Sequence, residues 1–160
     1  MVLREFTINH ENFSEEESLV EEIRIALDKI ERKIPGKSYR KSILDKLESL
    51  GWSGKIPIKH DSRASIDGIR RNIGVVVQVG NHASGLLSLL NLEYLYSINK
   101  IYAGIFITQT HAQAVQRNSI RNPGVTTDGN YISCERFEPD LKLYENFLNC
   151  PIRVIAIDES

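Results

Sequence analysis

Leu19, Ile23, Ala26, Leu27 and Ile30 recur three and four residues apart, which puts them on one face of a helix. Ser14 and Glu17 ahead of them have the S-x-x-E spacing of a capping box, acids crowd the first turn, and Pro35-Gly36 ends the run. A second helix is predicted from Ser38, with Ile43, Leu44, Leu47 and Leu50 on one face and Gly51 at its stop. The period then changes from helix to strand. Residues 55–60 (KIPIKH) alternate, with Pro57 marking an edge, and 64–68 (ASIDG) form a short strand. Residues 73–79 (IGVVVQV) are β-branched and nearly all apolar, as a buried central strand requires. A leucine-rich helix over 82–98 follows, then a second buried strand at 101–108 (IYAGIFIT). Residues 117–131 are polar and punctuated by Gly and Pro, which predicts a loop; a helix at 138–149 and a strand at 152–157 (IRVIAI) close the pattern. This order predicts one α/β domain over residues 1–160, with a mixed central sheet flanked by helices.

Composition changes that picture little. Of 160 residues, 41% are hydrophobic and 26% charged, which excludes a disordered chain or a fibre. No apolar run approaches the ~20 residues of a membrane-spanning helix. The stretch MVLREFTINHENF lacks the basic-then-apolar layout of a secretory signal, and Cys134 and Cys150 form no CxxC pair. A reducing cytoplasm is therefore expected, with packing rather than metal or nucleophile roles for the two thiols. Charge adds more. Residues 1–31 carry nine acids against three bases, whereas residues 32–71 carry eleven bases against four acids. So basic a segment suits a phosphate-facing surface; it also suits a solvated helix face around Arg32 to Lys46.

Two polar residues stand out among the strands. Asp67 ends a short strand just before a glycine, and Gln78 interrupts a run of valines. Alternation puts Val76 and Gln78 on one face of the strand and Val75, Val77 and Val79 on the other. A buried amide needs partners, so Gln78 either bonds a loop backbone or serves a site, and Asp67 either caps a turn or works beside it.

The run IDGIRRNIGVVVQVGNHA, residues 66–83, resembles the catalytic segment of the PD-(D/E)XK nucleases. More narrowly, it is similar to the BglII/BstYI group of type II restriction endonucleases, in which an Asp stands nine residues ahead of an E-x-Q. Asp67 matches the Asp and Gln78 the Gln. KLESLGW upstream, VGNHA with its leucine-rich helix, and KIYAGIFIT downstream extend the likeness from residue 42 to residue 157. The resemblance implies a PD-(D/E)XK restriction-endonuclease-like fold. It also implies a homodimer acting on double-stranded DNA with Mg²⁺, in the cytoplasm of a cell with a restriction–modification system. Asp67, residue 76 and Gln78 are then the catalytic positions, and the helices at 83–98 and 138–149 supply the dimer face.

One position departs. Residue 76, where the group has its Glu, is Val76. In such nucleases the two carboxylates hold Mg²⁺, which activates water and stabilises charge on the scissile phosphate. Losing one should slow cleavage on the order of a thousandfold. Three accounts are open: an enzyme disarmed by engineering, a natural non-cutting relative, or rescue by another acid. For rescue, Asp67, the carbonyl of Val77 and Glu48 would assemble the metal site, with Asp61 and Glu93 as weaker substitutes.

DNA contact is expected from cations flanking Asp67, namely Lys59, Arg63, Arg70 and Arg71, and from Asn81 and His82 at a helix start. Asn81 also suits an N-cap. Arg117, Asn118, Ser119, Arg121 and Asn122 in the polar segment have side chains that read guanine and adenine edges. The function expected is a Mg²⁺-dependent, site-specific deoxyribonuclease, impaired at Val76. The alternatives are a sequence-specific DNA-binding protein that does not cut, and a nuclease-fold protein acting on RNA or unusual DNA ends.

Overall fold

A computed structural model describes residues 3–9, 17–30 and 38–158. The elements that build the site are β1 (Leu3–Ile8), α1 (Glu17–Asp28), α2 (Tyr39–Ser49), β2 (Ile56–Pro57), β3 (Ser65–Ile66), β4 (Gly68–Arg70) and β5 (Ile73–Val77). They are followed by α3 (Ala83–Ser97), β6 (Ala103–Gln109), α4 (His111–Arg121), α5 (Cys134–Tyr144) with a 3-10 turn at Glu145–Phe147, and β7 (Ile152–Ile157). The five longer strands form one mixed sheet in the order β1-β7-β6-β5-β4, while β2 and β3 pair separately. β5, β6 and β7 run parallel, and the outer strands β1 and β4 pair antiparallel to them. The mixed sheet flanked by helices agrees with the sequence pattern.

Alternation along the strands divides the core in two. Val76, Phe106 and Val154 face Leu89, Leu92 and Leu95 of α3 and Phe137 and Leu141 of α5. Val75, Val77, Ile105 and Ile107 face Leu19, Ile23 and Leu27 of α1 and Ile43 and Leu47 of α2. A sheet covered on both faces explains why β5 and β6 read as continuous apolar runs. Trp52 packs in the second of these clusters.

Local signals explain the ends that matter for the site. The Ser38 hydroxyl accepts from the N–H of Lys41, starting α2. At its end the N–H of Trp52 reaches the Leu47 carbonyl and that of Gly51 the Glu48 carbonyl, with Gly51 at φ +88°. That is the Schellman arrangement, and only glycine takes such a φ without strain. Between β4 and β5, Arg71 and Asn72 both have positive φ, matching a two-residue type I′ hairpin.

Several expectations need correction. β1 was absent from the pattern, because only Phe6 and Ile8 alternate as apolar residues in its described part; pairing along β7 builds it. The alternating stretch 55–60 contributes only Ile56 and Pro57 as a strand. Residues 117–121, expected as loop, complete α4, whose Thr110 cap accepts from Gln113 N–H and whose buried face is Gln113, Ala114 and Asn118. The helix expected at 138–149 runs from Cys134 to Tyr144. Burial of Cys134, Phe137 and Leu141 at helical spacing outweighs the backbone bond lost at Pro139. Ser14, Arg32, Lys33, Pro35 and Gly36 lie outside the described residues.

Candidate functional site

Asp67 sits between β3 and β4 and is held by two donors. Its Oδ2 accepts the N–H of Val77 at 2.7 Å, and its Oδ1 accepts from Arg40 Nη2 at 2.5 Å. Arg40, in the first turn of α2, also donates from Nε to the Val77 carbonyl at 3.0 Å. Gln78 turns to the opposite face of β5, and its Nε2 donates to the Ser88 hydroxyl of α3 at 2.8 Å. Val76 is 2% exposed and packs in the α3 cluster. Asp67, Val76, Gln78, Arg40 and Arg63 line one cleft of about 230 Å³, walled on the far side by Ser84 and Ser88. The structure thus brings the three expected catalytic positions together and adds Arg40.

None of the carboxylates expected to complete a metal site lines this cleft. Glu48 is exposed and lies against the backbone of Gly54. It follows Arg40 by eight residues on the same helix, roughly 12 Å along the axis. Asp61 is exposed in the turn before β3. Glu93 accepts the N–H groups of Asn149 and Cys150, both at 2.8 Å, and so caps a chain end at the far side of α3. Among the described residues no group of three or more His, Cys, Asp or Glu could hold a metal ion. The residues present therefore do not fit the Mg²⁺ site read from the sequence. Val76 has no side-chain oxygen, and the Val77 carbonyl and both Asp67 oxygens already accept protein donors.

The expected DNA-facing residues separate into two groups. Arg63 is exposed and lines the cleft, whereas Lys59 is exposed without lining it. Arg70 instead pairs with Glu22 of α1 at 2.5 Å. Arg71 is exposed at the hairpin tip, about four residues and so roughly 13 Å along the strand from Asp67. Neither clamps the cleft. His82 turns away, its Nε2 2.9 Å from Asp140 and its ring edge-on to Phe137. Asn81 Oδ1 accepts the N–H of Ala83 at 2.9 Å, which opens α3.

In α4, Arg117 is committed to the fold through the Gln109 side chain, the Val79 carbonyl and the Tyr39 and Tyr131 rings. Asn118 is buried and donates to the Thr127 carbonyl, and Ser119 bonds its own helix at Gln116. Arg121 and Asn122 are exposed and line a second cleft of about 370 Å³ with Asn81, Asn118, Asn130 and Tyr131. Burial pushes the Cys134 thiol up to about 12 and raises that of Cys150 as well, so neither is poised as a nucleophile.

Arg40 escaped the sequence reading. Its signal was a cation in the first turn of a helix, where the dipole favours acids. Such a conflict is resolved by a specific partner, here Asp67.

A sheet of parallel central strands with an acid on an antiparallel hairpin, facing a helix across a small polar cleft, is the layout of restriction-endonuclease-like proteins. In overall fold the chain is similar to a solved restriction endonuclease BglII, described in complex with a DNA 16-mer. The TM-score is 0.75 at 20% identity, covering 100% of this chain and 78% of the other. A family model for restriction endonuclease BglII/BglIII matches residues 2–157, so the chain belongs to that family. No curated protein sequence matches it. Among the described residues no helix is long and apolar enough to cross a membrane.

Proposed function

We propose that this member of the family binds a short palindromic site on double-stranded DNA as a homodimer, with its hydrolytic centre disarmed. One observation carries the reading: beside Asp67, where the resemblance expects a second carboxylate, β5 presents Val76 packed into the apolar core. Phosphodiester hydrolysis needs an activated water and stabilisation of charge on the phosphate, and a carboxylate pair with a divalent cation supplies both. A lone carboxylate paired with arginine supplies neither.

Binding draws on other groups. Arg63 presents positive charge in the first cleft, suited to backbone phosphates, and Lys59 adds an exposed cation four residues before it in sequence. Arg121, Asn122, Asn81 and Asn130 surround the second, and their donors and acceptors suit guanine and adenine edges. Leu87, Leu90, Tyr94 and Ile98 form one exposed stripe along α3, an apolar face for a second copy of the chain. A two-fold dimer matches the symmetry of a palindrome.

The test pairs plasmid cleavage, in Mg²⁺ and again in Mn²⁺, with DNA binding followed by fluorescence anisotropy across a salt series. The expected result is no discrete fragments, with an affinity whose logarithm falls linearly with the logarithm of salt. Discrete fragments that disappear in Asp67→Ala would overturn the disarmed centre. An absence of salt-dependent DNA binding would overturn the reading as a whole.

A further inference from the structure

We propose that the Arg40 guanidinium takes the position of the divalent cation, closing the centre to metal even when a second carboxylate is supplied. The inference rests on the proposed function in one respect: it takes the Asp67 carboxylate and the Val77 carbonyl as the atoms at the family's metal position.

The geometry is that of a bridge. One planar fork joins the Val77 carbonyl at 3.0 Å to Asp67 Oδ1 at 2.5 Å, two oxygens on neighbouring segments of the sheet. A bound cation would join the same two. The remaining carboxylate oxygen is turned to the Val77 N–H at 2.7 Å, so the Arg40 contact and the backbone fix the carboxylate from both sides. Guanidinium does not deprotonate in proteins, and its five donors in a rigid fork suit this pairing. The start of α2 adds the positive end of a helix dipole on the same side.

Charge in the cleft points the same way. Of the described residues lining it, Asp67 is the one carboxylate, against Arg40 and Arg63. A divalent cation entering meets a fixed positive charge already seated on its oxygens, whereas a phosphate meets a cationic wall. Val76 and Arg40 disable the centre separately: one removes a ligand, the other occupies those that remain.

Calorimetric titration with Mn²⁺ alone, in the absence of DNA, tests this on the full chain. Five proteins are compared: the chain itself, Asp67→Ala, Val76→Glu, Val76→Glu with Arg40→Met, and that double variant with Asp67→Ala added. Circular dichroism establishes that each is folded, and Arg40→Gln replaces Arg40→Met should the latter fail to fold. The expected result is Mn²⁺ binding in the double variant roughly tenfold or more tighter than in Val76→Glu, and abolished by Asp67→Ala. Equal affinity, or equal absence of binding, in Val76→Glu and the double variant would overturn the proposal. So would Mn²⁺ binding by the unaltered chain that Asp67→Ala removes. Because no DNA is present, these outcomes are independent of whether the chain binds DNA.

Discussion

Arg117 donates to Gln109 Oε1 at 2.7 Å and to the Val79 carbonyl, with its guanidinium 4.9 Å from the centre of the Tyr131 ring. Gln109, wholly buried on β6, in turn donates to the carbonyls of Val79 and Ile132. One arginine thus fastens α4 to the segment just past β5 and, through Gln109, to Ile132. Arg117→Met leaves a buried amide oxygen without this donor and should cost about 1–3 kcal/mol. Urea unfolding followed by circular dichroism checks this, with the midpoint falling at an unchanged slope. A residue that only read bases would leave the midpoint where it is. The sequence suggested base reading here because Arg and Asn in a polar run look alike whether they face DNA or a carbonyl. Asp67 and Gln78 were easier to find, since each is a polar residue standing out beside apolar strand positions, and alternation assigns the face of Gln78. Arg40 was harder, because the contact that defines it spans 27 residues.

Gly74 of β5 and Gly104 of β6 are direct partners in the parallel ladder, and Leu92 of α3 lies over both. A Cβ on either would stand 2.9 Å from a Leu92 methyl, and one on Gly74 would also meet Ile101 at 3.0 Å. The paired glycines let α3 settle close to the sheet, with Leu92 seated over both. Because Leu92 is itself fully buried, it has little room to yield. Gly74→Ala and Gly104→Ala should each destabilise by about 1–3 kcal/mol. Adding Leu92→Ala should give a total well below the sum of the single effects, which thermal or urea unfolding of the double variants measures. The central strands, α2 and α3 were legible in the sequence because a single strong periodicity wrote each of them. β1 and α4 were not: one depends on the edge of β7 and the other on polar side chains buried by the tertiary fold. Pro139 misleads in a related way at α5, since a proline reads as the start of a helix and this one lies inside it.

Across the whole molecule, charge that looked segregated in sequence is partly spent in pairing. Arg24 bonds Glu5 and Glu21, Arg153 bonds Glu17, and Arg70 bonds Glu22. The acidic excess near the start of the chain is therefore drawn into ion pairs that hold α1 to the sheet. What remains exposed on the basic segment includes Lys41, Lys55, Lys59, Arg63 and Arg71. The α3 stripe is the other feature at this scale, with Leu87 57% and Leu90 50% exposed. A charge placed in a two-fold interface meets its own copy, so Leu90→Glu should shift the protein from dimer to monomer. Sedimentation velocity reads that shift directly, and a chain that sediments as a monomer before substitution would remove the dimer from the proposed function.

The clasp of Arg40 on Asp67 and Val77 also bears on how such a protein persists in a lineage. On the proposed reading two features on separate elements, Val76 and Arg40, block one centre, so changing either alone gives selection nothing to favour. A return to cutting requires both changes in the same gene. On that reading the cell that carries it is insulated from sudden breakage of its own chromosome, and can keep the gene without a companion that marks its DNA as self.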